Sequence, residues 1–425
     1  MMNKTLGLED IQIAVKGKAA AFRCVTKLQP AGGRGDKVFP PTYEGGKYAV
    51  EQRIINGQTT QCVLLDSVQS QANRMELALL EAKRAKRITL PLITVNFDHK
   101  DLKKKFTVTS LEAPHRIADA ILRDSLYQEN GQSVIFRKSS KGIILDTADV
   151  RNATGLFGIC PTALLFGIWD STGPRGGLGA KLQRAIVSEI MGIDSTQGIA
   201  TGGKVDALNI LKEAGPLYHR KEQSDTLPNW SLEQSQGAEK LGKKKDGKPS
   251  EANLGGIPPD FSYARDKKGN IIYENGVPRI KGGFTIDYAL QTTVLSLAAL
   301  RRLCFPLNGD NNQTEANDEA RTVLAALGIA SATLAMEEGY DLRSRCQLFP
   351  TEAPIWELLN VPGEQPQKYV VNGDQAVVIF EQAVKDAQSK CLPWEGDIIL
   401  KPSDDLVALV QKSQELAMSI GVEEE

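Results

Sequence analysis

Residues 62–87 read CVLLDSVQSQANRMELALLEAKRAKR, and this stretch passes from an apolar run into an amphipathic helix. The run CVLL closes an alternating segment that begins at Arg53 and is typical of a strand. Apolar residues then recur at three- and four-residue spacing, which predicts a helix over 68–86. Strand-like segments follow at 90–96 and 105–110. Strand, helix, strand, strand is the first half of a ferredoxin-like unit, so the sequence predicts an α+β fold with an RRM-like (ferredoxin-like) core.

The start of this helix, DSVQSQANRME (residues 66–76), is rich in groups that bind anions. Its hydroxyl and amide side chains suit a helix N-terminus, where free backbone N–H groups and the positive dipole end attract phosphate. Arg74 adds a planar fork of donors that matches phosphate oxygens. The same side chains also form ordinary helix caps, so at this point capping and anion binding both stay open.

Composition limits the class of protein. The chain has 425 residues, a formal charge of −1 and a pI near 6.4, so any polyanion site must come from local clustering of cations. Apolar residues make up 41%, and the N-terminus lacks a signal-peptide core, from which we expect a cytoplasmic protein that does not bind a membrane. Six scattered cysteines without a CxxC pair argue against a zinc knuckle and a disulfide framework.

Three regions are expected. Residues 1–214 hold the RRM-like core, with a Gly- and Pro-rich finger loop at 30–47. Residues 215–283 are rich in Gly, Lys, Pro and Ser, which favours a flexible insertion. The expected fold is therefore an RRM-like core with large insertions. Residues 284–425 hold the remainder of the core and a helical C-terminal region. Further patterns predict helices at 113–125, 286–303, 315–338, 375–390 and 404–420, and a strand at 342–349. Residues 182–193 fit a helix by their apolar spacing and a strand by their β-branched content, and the strand is favoured.

Motifs for catalysis are scarce. There are three histidines, and GxSxG, HExxH and Walker-type patterns are absent. The segment GPRGGLGAK (173–181) fails both phosphate-loop fingerprints, although its glycines could let the backbone approach a nucleic-acid strand closely. A plain flexible loop is the equally good alternative. His115 beside Arg116 could serve RNA cleavage or phosphate contact, and a surface histidine explains the same pattern.

Several motifs occur together in one order over residues 38–210. Taken together they resemble the CRISPR-associated RAMP-superfamily backbone subunit of type I-G (formerly I-U) Cascade. The motifs are VFPPTY (38–43), LLDSVQSQANRMELAL (64–79), HRIADAILRDS (115–125), FRKSSKG (136–142), TALLFGIWDSTGPRGGLGAKLQRAIVSEI (162–190) and KVDALNI (204–210).

The resemblance implies a non-catalytic protein, assembled in several copies along a CRISPR RNA for RNA-guided binding of target DNA in antiviral defence. Its implied partners are CRISPR RNA, target DNA, further copies of itself, other Cascade subunits and a recruited helicase-nuclease, with no cofactor and no metal. The alternative is a RAMP endoribonuclease that processes precursor CRISPR RNA with His115 as acid or base. Candidate RNA contacts are Ser67, Ser70, Gln71, Asn73, Arg74, His115, Arg116, Arg175, Gly176, Gly177, Lys181 and Arg184, with Arg34, Lys37, Phe39 and Tyr43 in the finger loop.

Overall fold

A β-α-β-β-α-β unit forms the centre of the molecule. The computed structural model describes residues 4–171, 173, 180–221, 224, 226–242, 245–266, 269–274, 276–307 and 314–424. In space the four central strands run in the order β4-β1-β3-β2, and each pair is antiparallel. This order is ferredoxin-like, which confirms the predicted α+β class and core. The elements are β1 (Ala21–Pro30), α1 (Val68–Arg84), β2 (Ile186–Ile193), β3 (Tyr288–Ser296), α2 (Thr314–Glu337) and β4 (Trp356–Leu359).

One face of the sheet carries the helices. Along β1, Phe22, Cys24 and Leu28 are fully buried, while the alternate side chains of Val25 and Lys27 are exposed on the opposite face. Helix α2 lies at the centre of the helical layer, in contact with α1 and with two further helices, which are Leu8–Lys16 and Gly373–Ser389.

Helix α2 is long and apolar enough, by length and composition, to cross a membrane. Its most apolar window is 89% buried inside the protein, however. An all-round apolar surface is what a helix needs when other helices and a sheet surround it. Burial therefore accounts for the composition of α2, which is a core helix of this fold.

Further strands extend the sheet at both edges. The hairpin Val50–Ile55/Gln58–Asp66 adds to β2, and Gln367–Val370 followed by Lys4–Thr5 adds to β4. A second hairpin, Tyr340–Arg343/Cys346–Pro350, pairs with the end of β1. We call this second hairpin the arginine hairpin, because both arginines of its turn are exposed.

A long insertion separates β2 from β3. In the described part of the insertion the chain forms short antiparallel pairs instead of a continuous sheet. Thr201–Lys204 pairs with Ile257–Phe261, and Tyr218–His219 pairs with Trp230–Ser231. The remaining described elements outside the core are the helices Ala120–Arg123, Ile144–Thr147, Thr154–Ile159, Pro161–Phe166, Leu297–Leu300 and Asp404–Glu424, and the strands Thr42–Tyr43, Lys47–Tyr48, Leu126–Glu129, Gln132–Ile135, Ile168–Trp169, Lys181–Leu182, Thr196–Gln197, Tyr273–Glu274, Val277–Pro278 and Phe284–Thr285.

The helix predicted over 286–303 is wrong. Residues Tyr288–Ser296 form β3, a central strand of the sheet, and only Leu297–Leu300 is helical. Burial alternates strictly along β3, but its outward positions also carry side chains such as Leu290 and Val294. A strand that is apolar on both faces loses its period-two signal in the sequence, and its apolar residues then fit a helix as well.

The strands predicted near 90–96 and 105–110 exist, as Ile93–Asn96 and Thr107–Thr109. They lie outside the main sheet, in a three-stranded sheet with Ile398–Leu400. The assignment of these two strands to the first half of the ferredoxin-like core is therefore wrong. The helix predicted over 113–125 is also reduced. A 3-10 turn at Arg116–Ala118 and one short helix at Ala120–Arg123 take its place.

Candidate nucleic-acid interface

The start of α1 presents a polar face. Ser67 is the N-cap residue, and its side-chain oxygen accepts a hydrogen bond from the Ser70 backbone N–H at 3.3 Å. Ser67, Ser70 and Arg74 follow three- and four-residue spacing, which places them on one side of the helix. Asn73, beside Arg74, is exposed. Capping is therefore confirmed for Ser67, and the same helix face remains open to a ligand.

Arg74 ties α1 to the arginine hairpin. Its Nε donates to Asp66 Oδ2 at 2.9 Å, and its Nη2 donates to the Leu342 carbonyl at 2.6 Å. A longer contact of 3.4 Å joins Nη1 to the Asp341 carbonyl. The side chain is 31% exposed, so the guanidinium N–H groups that take no part in these three bonds are at the surface. Arg74 is thus a structural bridge at the edge of the candidate interface.

Gln71 lies inside the protein instead. It is 4% exposed, and its Nε2 donates to Asp66 Oδ2 at 2.6 Å. Its Oε1 accepts from Ser188 Oγ at 2.9 Å and from Gln291 Nε2 at 2.8 Å, and Gln291 Oε1 accepts in turn from the Tyr340 hydroxyl at 2.9 Å. Every member of this buried network is paired, as burial of polar groups requires. Gln71 therefore fixes α1 onto β2 and β3 and has no exposed surface for RNA in this structure.

The arginine hairpin contacts the finger loop. The Phe39 N–H donates to the Arg345 carbonyl at 2.9 Å, and Arg343 Nη1 donates to the Pro40 carbonyl at 3.1 Å. The Arg345 guanidinium lies 4.1 Å from the centroid of the Phe39 ring, a cation–π arrangement. Val38 is buried and pairs through its backbone with Phe284. This part of the finger loop therefore packs against its own body.

More cations border the same contact. Arg343 and Arg279 both lie close enough to Tyr48 to oppose, by their charge, the rise in its pKa that burial causes. A Cβ atom placed on Gly46 would lie 3.2 Å from Lys281 Cε, so that lysine covers the turn after Tyr43. With the arginine hairpin these side chains form what we call the basic cluster. Its members are Lys37, Arg279, Lys281, Arg343 and Arg345.

Within the basic cluster, the cations of Lys37, Lys281, Arg343 and Arg345 form no salt bridge with any carboxylate that the structure describes. Arg343 and Arg345 are exposed, and no described side chain neutralises them. Unneutralised cations grouped beside an aromatic ring suit the sugar-phosphate backbone and bases of a nucleic acid. The geometry can therefore bind a polyanion although the whole chain is nearly neutral.

Arg345 holds a backbone conformation that arginine rarely adopts. Its φ of +59° lies in the left-handed region, where a Cβ atom costs about 1 kcal/mol. This conformation closes the turn between the two strands of the arginine hairpin. Glycine would satisfy the turn without the cost. Arginine at this position therefore carries a small cost in stability that glycine would avoid.

A buried ion pair lies beneath the opposite side of α1. Arg116 donates from Nε and Nη2 to the two carboxylate oxygens of Glu76 at 2.6 and 2.8 Å. The two side chains are 8% and 3% exposed, and desolvation raises the pKa of Glu76 to about 7 although the charge of Arg116 acts in the opposite direction. Arg116 Nη1 also donates to the Gly167 carbonyl at 3.0 Å. Arg116 is thus an interior residue, and direct contact with RNA does not fit its burial.

The other predicted RNA contacts on the body lie in two places. His115 is exposed, and its backbone N–H donates to Asp119 Oδ2 at 3.1 Å. Arg184 is half-buried and donates from Nε to the Phe166 carbonyl at 3.2 Å. Lys181 is exposed beside Trp169. The predicted contacts Arg175, Gly176 and Gly177 lie outside the described residues.

The remaining finger residues differ in their contacts. Arg34 is 83% exposed, and its Nη2 donates to Asp287 Oδ1 at 2.8 Å. Lys37 Nζ donates to the Ile199 carbonyl at 2.7 Å, which joins the finger loop to the insertion. Tyr43 is 47% exposed. Within the finger loop, Phe39 and Pro40 therefore contact the arginine hairpin, whereas Arg34 and Lys37 contact other segments. The predicted body contacts are spread over other surfaces and the interior.

The arginine hairpin was not predicted as part of the site. Its signal was present in LRSRC (342–346), where two arginines alternate with other side chains inside a predicted strand. Alternation predicts one face for both arginines, whereas in the structure Arg343 ends a strand and Arg345 lies in the turn. What the sequence could not give was the packing of this turn against the finger loop, about three hundred residues earlier in the chain.

No group of three or more His, Cys, Asp or Glu side chains is placed to hold a metal ion in the part of the chain that the structure describes.

Comparison with known protein families gives one match. Residues 22–197 match the sequence model of a family described as CRISPR-associated protein GSU0053. The match covers nearly all of β1 and the whole of the finger loop, α1 and β2. No curated protein matches the chain.

The fold and the candidate interface define an α+β protein with a ferredoxin-like core and a local basic surface. The family match adds the biological setting, and it supports a CRISPR-associated protein.

Proposed function

We propose that the chain is a non-catalytic subunit that binds CRISPR RNA and forms the backbone of a type I-G Cascade complex in the cytoplasm. The observation that carries this proposal is the pair Arg343 and Arg345 of the basic cluster, because these guanidinium groups form no described salt bridge and lie beside the finger loop at Phe39, on a chain whose net charge is −1. The match over residues 22–197 supports the CRISPR setting. The motif resemblance to RAMP-superfamily backbone subunits supports the specific role.

The chemistry of the surface suits a guide-binding protein. In an RNA-guided complex base pairing reads the sequence, so the protein has to hold sugar and phosphate without reading bases. Guanidinium groups and a capped helix start with free N–H groups provide such contacts. Arg343 and Arg345 are the proposed phosphate contacts, and Ser70 and Asn73 are proposed to line the path of the RNA beside them.

Assembly along the guide requires surfaces that a lone subunit leaves open. The described part of the insertion exposes large apolar side chains, among them Val205 at 96%, Leu208 at 71% and Leu211 at 71%. Exposed apolar side chains in one segment are typical of a contact with a partner. We propose that a neighbouring copy covers them, in a head-to-tail contact that does not close and therefore propagates along the RNA. Target DNA, the other Cascade subunits and a recruited helicase-nuclease complete the proposed partners.

Co-assembly with RNA tests this proposal. On size-exclusion chromatography with CRISPR RNA, the protein is expected to elute as one large species. The ratio of nucleic-acid to protein absorbance in that peak should show that it contains both RNA and protein. Replacing Leu208 and Leu211 by Ser should leave RNA binding to the single subunit intact and abolish the large species. A matched control replaces Val378 and Leu409, which are 67% and 65% exposed on C-terminal helices, and should change nothing. Failure of the wild type to bind the RNA would contradict the proposal.

Catalytic processing of precursor CRISPR RNA is the alternative function, and substitution of His115 tests it. The wild-type protein should leave labelled precursor CRISPR RNA intact over hours without metal, because we assign no general acid or base to the candidate interface. His115→Ala should then behave like the wild type. Metal-independent cleavage by the wild type that His115→Ala removes would overturn the non-catalytic assignment and favour the endoribonuclease.

A further inference from the structure

A second candidate surface lies at the other end of the central sheet. The basic cluster borders the start of β3, whereas a cavity of about 370 Å³ borders its end, about 26 Å away along the strand. Buried side chains of Leu164, Leu182 and Leu303 form the floor of the cavity. Its volume falls in the range of small-ligand sites.

One wall of the cavity is an exposed tryptophan. Trp169 is 65% exposed, which is a high value for the largest apolar side chain. The other described tryptophans are buried or half-buried. An indole face that stays in water beside an apolar cavity is available to stack on a flat ligand.

The charged side chains that the structure describes at the rim all have one sign. Lys181 Nζ lies 5.7 Å from the centroid of the Trp169 ring, and Arg302 also lines the cavity, with its Nη1 3.5 Å from Gln183 Oε1. Among the described residues, no acidic side chain lines the cavity. The cavity therefore combines an aromatic wall and an apolar floor with two cations, which fits an anionic ligand that has a flat ring.

The interior arginines position this wall. Arg116 Nη1 holds the Gly167 carbonyl at 3.0 Å, and Arg184 Nε holds the Phe166 carbonyl at 3.2 Å. These bonds fix the backbone just before Trp169. Arg116 and Arg184 are therefore positioning residues for the cavity, whereas Lys181 and Arg302 face a ligand directly.

We propose that this cavity binds one unstacked nucleotide of a single-stranded nucleic acid, with the base against Trp169 and the phosphate at Lys181 and Arg302. The proposal rests on the proposed RNA-binding function and adds to it a site that takes one base out of the strand. Stacking on an aromatic side chain tolerates any base, so the site would hold the guide without reading its sequence. A side chain from a partner protein is the competing occupant.

The test separates this cavity from overall RNA binding. An RNA guide carries the fluorescent base 2-aminopurine at one position at a time, while fluorescence anisotropy reports total binding. We expect a fluorescence change at selected positions in the wild type, its loss in Trp169→Ala and its retention in Trp169→Phe, which keeps a stacking ring. Total affinity should fall roughly 5- to 150-fold in Trp169→Ala, the range for loss of one stacked base. Tyr273→Ala, which removes a ring that is 60% exposed in the insertion, is the matched control.

The other results separate the cavity proposal from the proposed function. Normal RNA binding with the same 2-aminopurine signal in wild type and Trp169→Ala overturns the cavity and leaves the proposed function standing. If the wild type binds no RNA, the proposed function fails, and adenosine monophosphate then tests the cavity alone. The cavity proposal would be supported if this nucleotide quenches the intrinsic tryptophan fluorescence, and if the quenching is lost in Trp169→Phe and weakened in Lys181→Ala/Arg302→Ala. Absence of quenching in the wild type would overturn the cavity proposal. Loss of self-association without any nucleotide effect would assign the cavity to a protein partner.

Discussion

Replacing Glu76 by Ala should lower the free energy of unfolding by about 3–5 kcal/mol at pH 8, one of the largest effects available to a single substitution in this chain. The substitution leaves the Arg116 guanidinium buried, at 8% exposure, without the carboxylate that now binds it at 2.6 and 2.8 Å. An uncompensated buried charge is the costly outcome, and the fold as a whole has only about 5–15 kcal/mol to lose. A shift of the urea midpoint with an unchanged slope measures the effect.

A double substitution separates charge from packing. Glu76→Met combined with Arg116→Met removes both charges and keeps most of the volume, so it should regain at least half of the loss seen in Glu76→Ala. Part of the loss should remain, because the Gly167 carbonyl loses the Arg116 hydrogen bond of 3.0 Å. A double variant as unstable as Glu76→Ala would show that packing around α1, and not the unpaired charge, sets the cost.

The helices of this fold were largely readable from the sequence, and the central strands were readable only in part. The strand predicted over 182–193 contains β2. The helix predicted over 68–86 is α1, and the one predicted over 315–338 is α2, because both carry a sustained helical period. The strand β3 has apolar side chains on both faces and was predicted as a helix. Its identity depends on pairing with β1 and β2, which are distant in the chain, and a local pattern cannot contain that information.

The candidate site divides in the same way. Ser67 was readable, since a serine before a helical period is a local capping signal. The interior roles of Gln71 and Arg116 were not, because a polar side chain is buried or exposed according to partners from elsewhere in the chain, here Ser188 and Glu76. No local pattern joins Arg345 to Phe39, although the guanidinium of Arg345 lies 4.1 Å from the centroid of the Phe39 ring. Composition suggested local clustering of cations, and the long-range packing decides where that cluster lies.

Replacing both Arg343 and Arg345 by Ala should weaken binding of a CRISPR RNA to the single subunit by roughly 10- to 100-fold, whatever the guide sequence. Each guanidinium is exposed and lacks a described carboxylate partner, so little of its charge is used inside the protein. If both bind phosphate, the slope of log K against log salt should fall by about 1.4, since each contact with a single strand contributes about 0.7. Fluorescence anisotropy over a salt series, with two unrelated guides, measures both quantities.

Two controls decide whether the effect belongs to this surface. Lys385→Ala/Lys412→Ala removes the same charge from exposed positions on C-terminal helices and should leave both affinity and salt slope nearly unchanged. Arg345→Gly should match Arg345→Ala in RNA affinity but be more stable by about 1 kcal/mol, because glycine accepts the backbone φ of +59° without strain. Equal loss of affinity with unequal stability would show that the guanidinium binds the RNA. If affinity instead followed stability across these variants, Arg345 would act only through the fold of its turn.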